Sequence, residues 1–194
     1  MLMALLRIGL LGGSFNPPHL GHRRLAELAL QYLDLHELRV IPNHTPPHKQ
    51  SASVSISQRL KMVELNFQDI DSRLRISSIE MNSPEPSYTF RTLTRLHQEE
   101  PQCSWVLILG SDAFAGFKQW QHWESILNLS HIAVAMRPGI PISDSSSIPH
   151  EILPGTELPW SSESIRDELK QQRQSQGLKT EVLSFILDQG LYTQ

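Results

Sequence analysis

Short apolar runs alternate along this chain with segments of helical periodicity. Leu5 to Leu11 is an apolar run, broken only by Arg7, that predicts a buried strand, and Leu20 to Leu33 repeats apolar residues at helical spacing. Leu20, Leu25, Leu28, Ala29 and Tyr32 are the expected inner face of that helix. A short strand follows over Leu38–Ile41, then a loop rich in Pro, His and Ser from Pro42 to Ser55. Ser57 to Phe67 predicts a helix with Leu60, Val63 and Phe67 on one side, and Arg73 to Ile79 alternates as a strand. After a proline-bearing loop over Asn82–Ser87 come a helix over Tyr88–His97 and a continuous apolar strand over Trp105–Leu109. Short helical pieces span Ala113–Leu127, and His131 to Met136 predicts another strand. Weak periodicity from Ile140 to Trp160 leaves one further short strand near Ile148–Leu153. Two helices, Ser162–Arg173 and Thr180–Gln189, close the pattern.

Strands that alternate with crossovers this long predict a parallel sheet covered on both faces. The fold class is therefore α/β, a Rossmann-like doubly wound parallel sheet with helices on both faces. No internal repeat or linker interrupts it, so one domain is expected over residues 1–194. Ligands of such sheets lie beyond the carboxyl ends of the strands. The polar motifs fall at those ends, after Leu11, Ile41, Ile79, Leu109 and Met136, and predict one crevice fed by five loops.

The first of these loops carries the densest chemistry. Gly12 to His22 spells GGSFNPPHLGH between the first strand and the first helix. Glycines let a backbone approach an anion, and a helix N-terminus adds unsatisfied N–H donors and partial positive charge. His19 and His22 are spaced to share a helical face. The segment matches neither Walker A nor the dinucleotide GxGxxG. Two histidines with His44 and His48 could alternatively ligate a metal, yet no cysteine or carboxylate accompanies them at zinc-site spacing, so no protein metal site is expected.

Composition narrows the class of partner. A formal charge of −3 argues against polymeric nucleic acid, while a local basic site remains compatible with it. Cys103 is the single cysteine, so no intrachain disulfide is implied. Arg7 interrupts the apolar start and no small-residue cleavage pattern follows, and no run approaches the roughly 20 residues of a membrane span. A soluble cytoplasmic protein without a membrane partner is expected, and a homo-oligomer is compatible with this composition.

The eleven-residue block resembles the signature of the HxGH nucleotidyltransferase superfamily, (T/S)-F-D/N-P-P-H-x-G-H, with Asn16 where many members carry Asp. WSSESIR over Trp160–Arg166 resembles the second family signature, with Glu163 where Thr is usual. IPNHTPPHK over Ile41–Lys49, PSYTFRTL around Thr89, ILGSDAFAGFKQW over Ile108–Trp120, the RPG of Arg137–Gly139 and the closing FILDQGLY resemble motifs of the bacterial nicotinate mononucleotide adenylyltransferases, in the same order. The resemblance thus covers nearly the whole length. It implies adenylyl transfer from ATP to nicotinate mononucleotide, with Mg²⁺ accompanying ATP. It further implies that Gly12, Gly13, Ser14, Phe15, His19, His22, Gly110, Asp112, Arg137, Ser162 and Arg166 bind ATP, with His19, His22 and Arg166 catalytic. Asn43, His48, Lys49, Thr89 and Trp120 would bind the mononucleotide.

The residues themselves are compatible with these roles and with plainer ones. Trp120 could stack on a pyridine ring or simply fill the core, and Arg166 could grip phosphate or cover a capped helix. Amide donors near Trp120 and Gln121 would favour a nicotinate carboxylate over a carboxamide. Nicotinamide mononucleotide as acceptor, dual specificity and a non-catalytic nucleotide-binding regulator are the alternative functions, the last kept open by Glu163 beside a triphosphate.

Overall fold

The computed structural model describes residues 5–44, 54–81, 86–137, 139, 145–156 and 158–192. Six strands, β1 (Leu6–Gly13), β2 (Glu37–Pro42), β3 (Leu74–Ile76), β4 (Cys103–Gly110), β5 (His131–Met136) and β6 (Glu151–Thr156), form one sheet. Their order is β3-β2-β1-β4-β5-β6, and every pair is parallel. The order reverses between β1 and β4, and that switch point opens a crevice at the carboxyl ends.

Helices α1 (Leu20–Tyr32), α2 (Ile56–Phe67), α3 (Thr89–Glu99), α4 (Ser111–Ala115), α5 (Trp123–Leu129), α6 (Ser162–Gln172) and α7 (Thr180–Asp188) cover both faces. One core packs α1 and α2 on one face of the sheet through Leu25, Leu28, Ala29, Val63 and Phe67. A second, on the opposite face, joins α3, α4 and α5 through Leu93, Leu96, Phe114 and Ile126, with Trp105 buried among them. A third cluster ties α2, α6 and α7 together through Met62, Ile165, Leu169, Val182 and Ile186. Each fully buried large apolar side chain contributes about 1.5–3 kcal/mol. The doubly wound α/β architecture expected from the alternation is therefore present.

The differences lie at edges and ends. The alternating run Arg73–Ile79 pairs only over Leu74–Ile76, because its neighbour β2 ends in Pro42, which has no N–H to extend the ladder. The last strand is Glu151–Thr156, shifted along the chain from Ile148–Leu153 and bulged against β5 between Ala135 and Met136. Tyr32, expected on the inner face of α1, is 45% exposed. That face is instead filled by Ala26 and Leu30, because the helix ends there and the chain turns toward β2.

Candidate active site

The sheet's carboxyl edge opens into a cleft of about 560 Å³, within the range of small-molecule sites. Residues that follow all six strands line it: Ser14, Asn43, Glu80, Asp112, Arg137 and Ser162. The five expected loops are joined by the N-terminus of α6.

His19 is the N-cap of α1, in extended backbone, and His22 sits in the first turn. The His19 backbone N–H donates to Nδ1 of His22 at 3.2 Å. A neutral His22 therefore carries its proton on Nε2, the nitrogen left to donate to a ligand. The two ring centroids lie 3.7 Å apart, and Phe15 packs on His22 edge-on at 4.8 Å. Desolvation lowers His19 to a pKa of about 2, helped by His22 and Arg137. It lowers His22 to about 4, with Asp112 opposing and Arg137 reinforcing. Both imidazoles are neutral donors at neutral pH. Nδ1 of His19 is buried without a partner among the described residues.

Gly21 explains itself sterically. A Cβ there would stand 2.9 Å from Cε1 and Nδ1 of His19, so any side chain displaces the imidazole. A Cβ on Gly12, by contrast, meets nothing within 4 Å, and this exposed residue faces open space.

The N-terminus of α6 closes the other side. Ser161 caps it, accepting from the Ser164 N–H at 3.1 Å. Ser162 Oγ donates to the Pro17 carbonyl at 2.9 Å, and Arg166 Nη1 donates to the Asn16 carbonyl at 2.7 Å. Both residues thus reach the loop that leads into His19, and Arg166 keeps most of its planar fork for a ligand. Arg137 is held from two sides, by Asp112 Oδ2 at 3.0 Å and by the Trp160 carbonyl at 2.5 Å. Asp112 also accepts from the Ala113 N–H at 2.9 Å, so it serves the first turn of α4 as well. Glu163 is exposed on the cleft wall.

Asn43, Thr89 and Trp120 line the remaining part of the cleft, with the Trp120 ring 5.4 Å from Phe117. Gly12, Gly13 and Gly110 line it too. Phe15 does not: its side chain is fully buried between His22 and Phe67, where it supports the imidazole from beneath. His48 and Lys49 lie outside the described residues.

Four further residues belong to the site without being singled out in the sequence. Arg59 on α2 is buried and donates to the carbonyls of Ser14, Asn43 and His44 at 2.9, 2.8 and 2.9 Å, joining the loops after β1 and β2. Asn66 Nδ2 reaches the His19 carbonyl at 3.4 Å. A signal for both existed: residues 59, 62, 63 and 66 form one helical stripe that is otherwise apolar. Glu80 accepts from the Thr92 hydroxyl at 2.6 Å, and burial holds its carboxyl above the usual range. Tyr192 donates to Asn16 Oδ1 at 2.5 Å from the other end of the chain.

Residues 10–174 match the family described as cytidylyltransferase-like. A relative from Hydrogenovibrio crunogenus, named probable nicotinate-nucleotide adenylyltransferase, is 47% identical over 70% of this chain and 64% of its own length. One of the same name from Shewanella woodyi is 35% identical over 96% of this chain and 99% of its own. The match to the first two such relatives spans slightly less than two thirds of their length, 64% and 66%. Among solved structures, the Plasmodium falciparum nicotinic acid mononucleotide adenylyltransferase complexed with NaAD superposes with a TM-score of 0.78 at 18% identity, covering 96% of this chain and 97% of that one. At that identity the likeness concerns the fold.

Proposed function

Because this chain belongs to the cytidylyltransferase-like family, among the nicotinate-nucleotide adenylyltransferases, we propose that it transfers the adenylyl group of ATP to nicotinate mononucleotide, releasing pyrophosphate. The observation that carries this reading is the convergence of His19, His22, Arg137 and Arg166 with the N-termini of α1 and α6 on a single cleft whose other wall holds Thr89 and Trp120.

The mononucleotide phosphate attacks the α-phosphorus of ATP in line. That nucleophile is already anionic at neutral pH, so the site needs no strong general base, which agrees with two imidazoles held neutral. Its task is positioning and stabilising the charge that builds on the α-phosphate. His22 supplies an Nε2–H donor in a fixed tautomer, His19 a second ring beside it, and Arg166 a guanidinium for the departing phosphates. Arg137, braced by Asp112, adds positive potential nearby. At the acceptor end, Trp120 offers a planar face for a pyridine ring; its own backbone N–H is spent on the Phe117 carbonyl at 3.0 Å, so the preference for a carboxylate over a carboxamide would rest on the N–H groups that follow it.

Nucleotidyltransferases of this kind generally use a divalent metal with ATP. Among the described residues no three His, Cys, Asp or Glu side chains gather to hold an ion. An ion would arrive on the nucleotide, and Asp112 and Glu163, the exposed carboxylates lining the cleft, are the residues that would hold its hydration shell. Mg²⁺ bound in this way would neutralise phosphate charge and ease the departure of pyrophosphate. No helix among the described residues is long and apolar enough to cross a membrane, and reliance on ATP fits a cytoplasmic enzyme.

Mass spectrometry of the products from ATP, Mg²⁺ and an equimolar mixture of the nicotinate and nicotinamide mononucleotides tests the proposal. The expected product is nicotinate adenine dinucleotide with pyrophosphate, in clear excess over the amide form. Equal amounts of both would overturn the acceptor preference, and no dinucleotide would overturn the transferase reading.

A further inference from the structure

The closing FILDQGLY segment takes no part in the chemistry above, yet its geometry is strongly specified. Helix α7 ends at Asp188, and Gly190 follows in the left-handed region at φ 62°. The Gly190 N–H returns to the Leu187 carbonyl at 3.2 Å and the Leu191 N–H to the Ile186 carbonyl at 2.9 Å. Those two bonds make a Schellman ending, which turns the chain sharply back on its helix. Leu191 then seals the apolar cluster formed by α2, α6 and α7. Tyr192 comes next, itself left-handed at φ 59°, a conformation that a bulky non-glycine residue keeps only when its contacts hold it there.

Those contacts lead to the nucleotide loop. The Tyr192 ring is 7% exposed within the same cluster, while its hydroxyl donates to Asn16 Oδ1 at 2.5 Å. Asn16 also gives its carbonyl to Arg166, and its loop neighbours Ser14 and Pro17 give theirs to Arg59 and Ser162. The loop from Ser14 to Pro17 is thus gripped at Ser14, Asn16 and Pro17 by α2, α6 and the C-terminal turn. The phenol lies in the field of both Arg59 and Arg166, and burial raises its pKa, so it stays a donor.

We propose that Tyr192 is a positioning residue for adenylyl transfer: its hydroxyl fixes the Asn16 side chain, and through it the register of the Ser14–Pro17 loop against Arg166, the arrangement that receives the triphosphate. The proposal rests on the adenylyl-transfer reading for its kinetic consequence, but not for its consequence on nucleotide binding. The plainer role, a ring that only fills the cluster, predicts something different.

Tyr192→Phe separates them, since it keeps the ring and removes one hydroxyl. The variant is expected to melt within about 3 °C of the parent protein, to raise the KM for ATP about five- to tenfold, and to leave the KM for the mononucleotide unchanged. Calorimetry with a non-hydrolysable ATP analogue should show the same five- to tenfold weakening. Asn16→Ala should reproduce the loss, and adding Tyr192→Phe to it should cause no further change. Parental KM for ATP and parental analogue affinity in Tyr192→Phe would overturn the proposal, as would full additivity with Asn16→Ala. If the parent protein itself makes no dinucleotide, the transferase reading falls, and the calorimetric comparison alone decides the role of Tyr192.

Discussion

His22 commits one ring nitrogen to the backbone of His19 and, in the proposed reaction, offers the other to the nucleotide, so a single side chain would both shape the start of α1 and supply a donor. Its removal should act on the transition state more than on the fold. His22→Ala is expected to lower kcat about 100-fold or more, with a cooperative melt retained by circular dichroism. Gly21→Ala makes a different point, because the added methyl would stand 2.9 Å from the His19 ring. It should cut kcat/KM about tenfold or more while far-ultraviolet dichroism stays unchanged. The imidazoles also set a pH dependence of stability. Their folded pKa values, about 2 and about 4, lie below the ordinary 6.5, so between these limits the unfolded chain binds more protons than the folded one. Stability is full above pH 6.5 and falls as the pH drops through 6.5 toward 4. A series of melting temperatures from pH 7.5 to 4.5 should show this decline, and His22→Gln should flatten it. The sequence displayed these residues because their spacing is local: HLGH needs only one turn of chain to bring two imidazoles together. Tyr192 and Asn16, 176 positions apart, share no such signal.

At the level of elements, polar residues on otherwise apolar faces hold the site together. Arg59 replaces an apolar residue on the inner stripe of α2 and satisfies three loop carbonyls. Arg59→Met would leave those acceptors buried without donors, at a cost of about 2–3 kcal/mol. The melting temperature should then fall by about 5–10 °C, with the KM for ATP rising as the two loops separate. A melt unchanged within 1 °C would show the loops to be held by other means. Helices and central strands were legible because burial imposes a period on the sequence. The edge strands were less so: β3 and β6 pair on one side only, and their lengths are set by what their neighbours can offer, Pro42 in one case and a bulge at Ala135–Met136 in the other. Phe15 shows the same limit on a smaller scale. It belongs to the signature block, yet its ring supports His22 from within the core.

Across the whole molecule, the cleft joins segments from both halves of the chain, so a nucleotide bound there, as proposed, should stabilise all of it. A non-hydrolysable ATP analogue at a hundredfold excess over its Kd adds about 2.7 kcal/mol and should raise the melting temperature by about 5–10 °C. Arg166→Ala should lose most of that rise, and an undiminished shift would remove Arg166 from the nucleotide site. The parallel sheet, its two covered faces and the residues that crowd the strand ends were fixed by the sequence through periodicity and through short motifs whose chemistry is complete within one turn. Only the tertiary structure decided which carbonyl each arginine meets, that the last described residue reaches the first loop, and that both imidazoles stay neutral. Those outcomes depend on desolvation and on contacts between segments far apart along the chain, and neither leaves a pattern in any short stretch of residues.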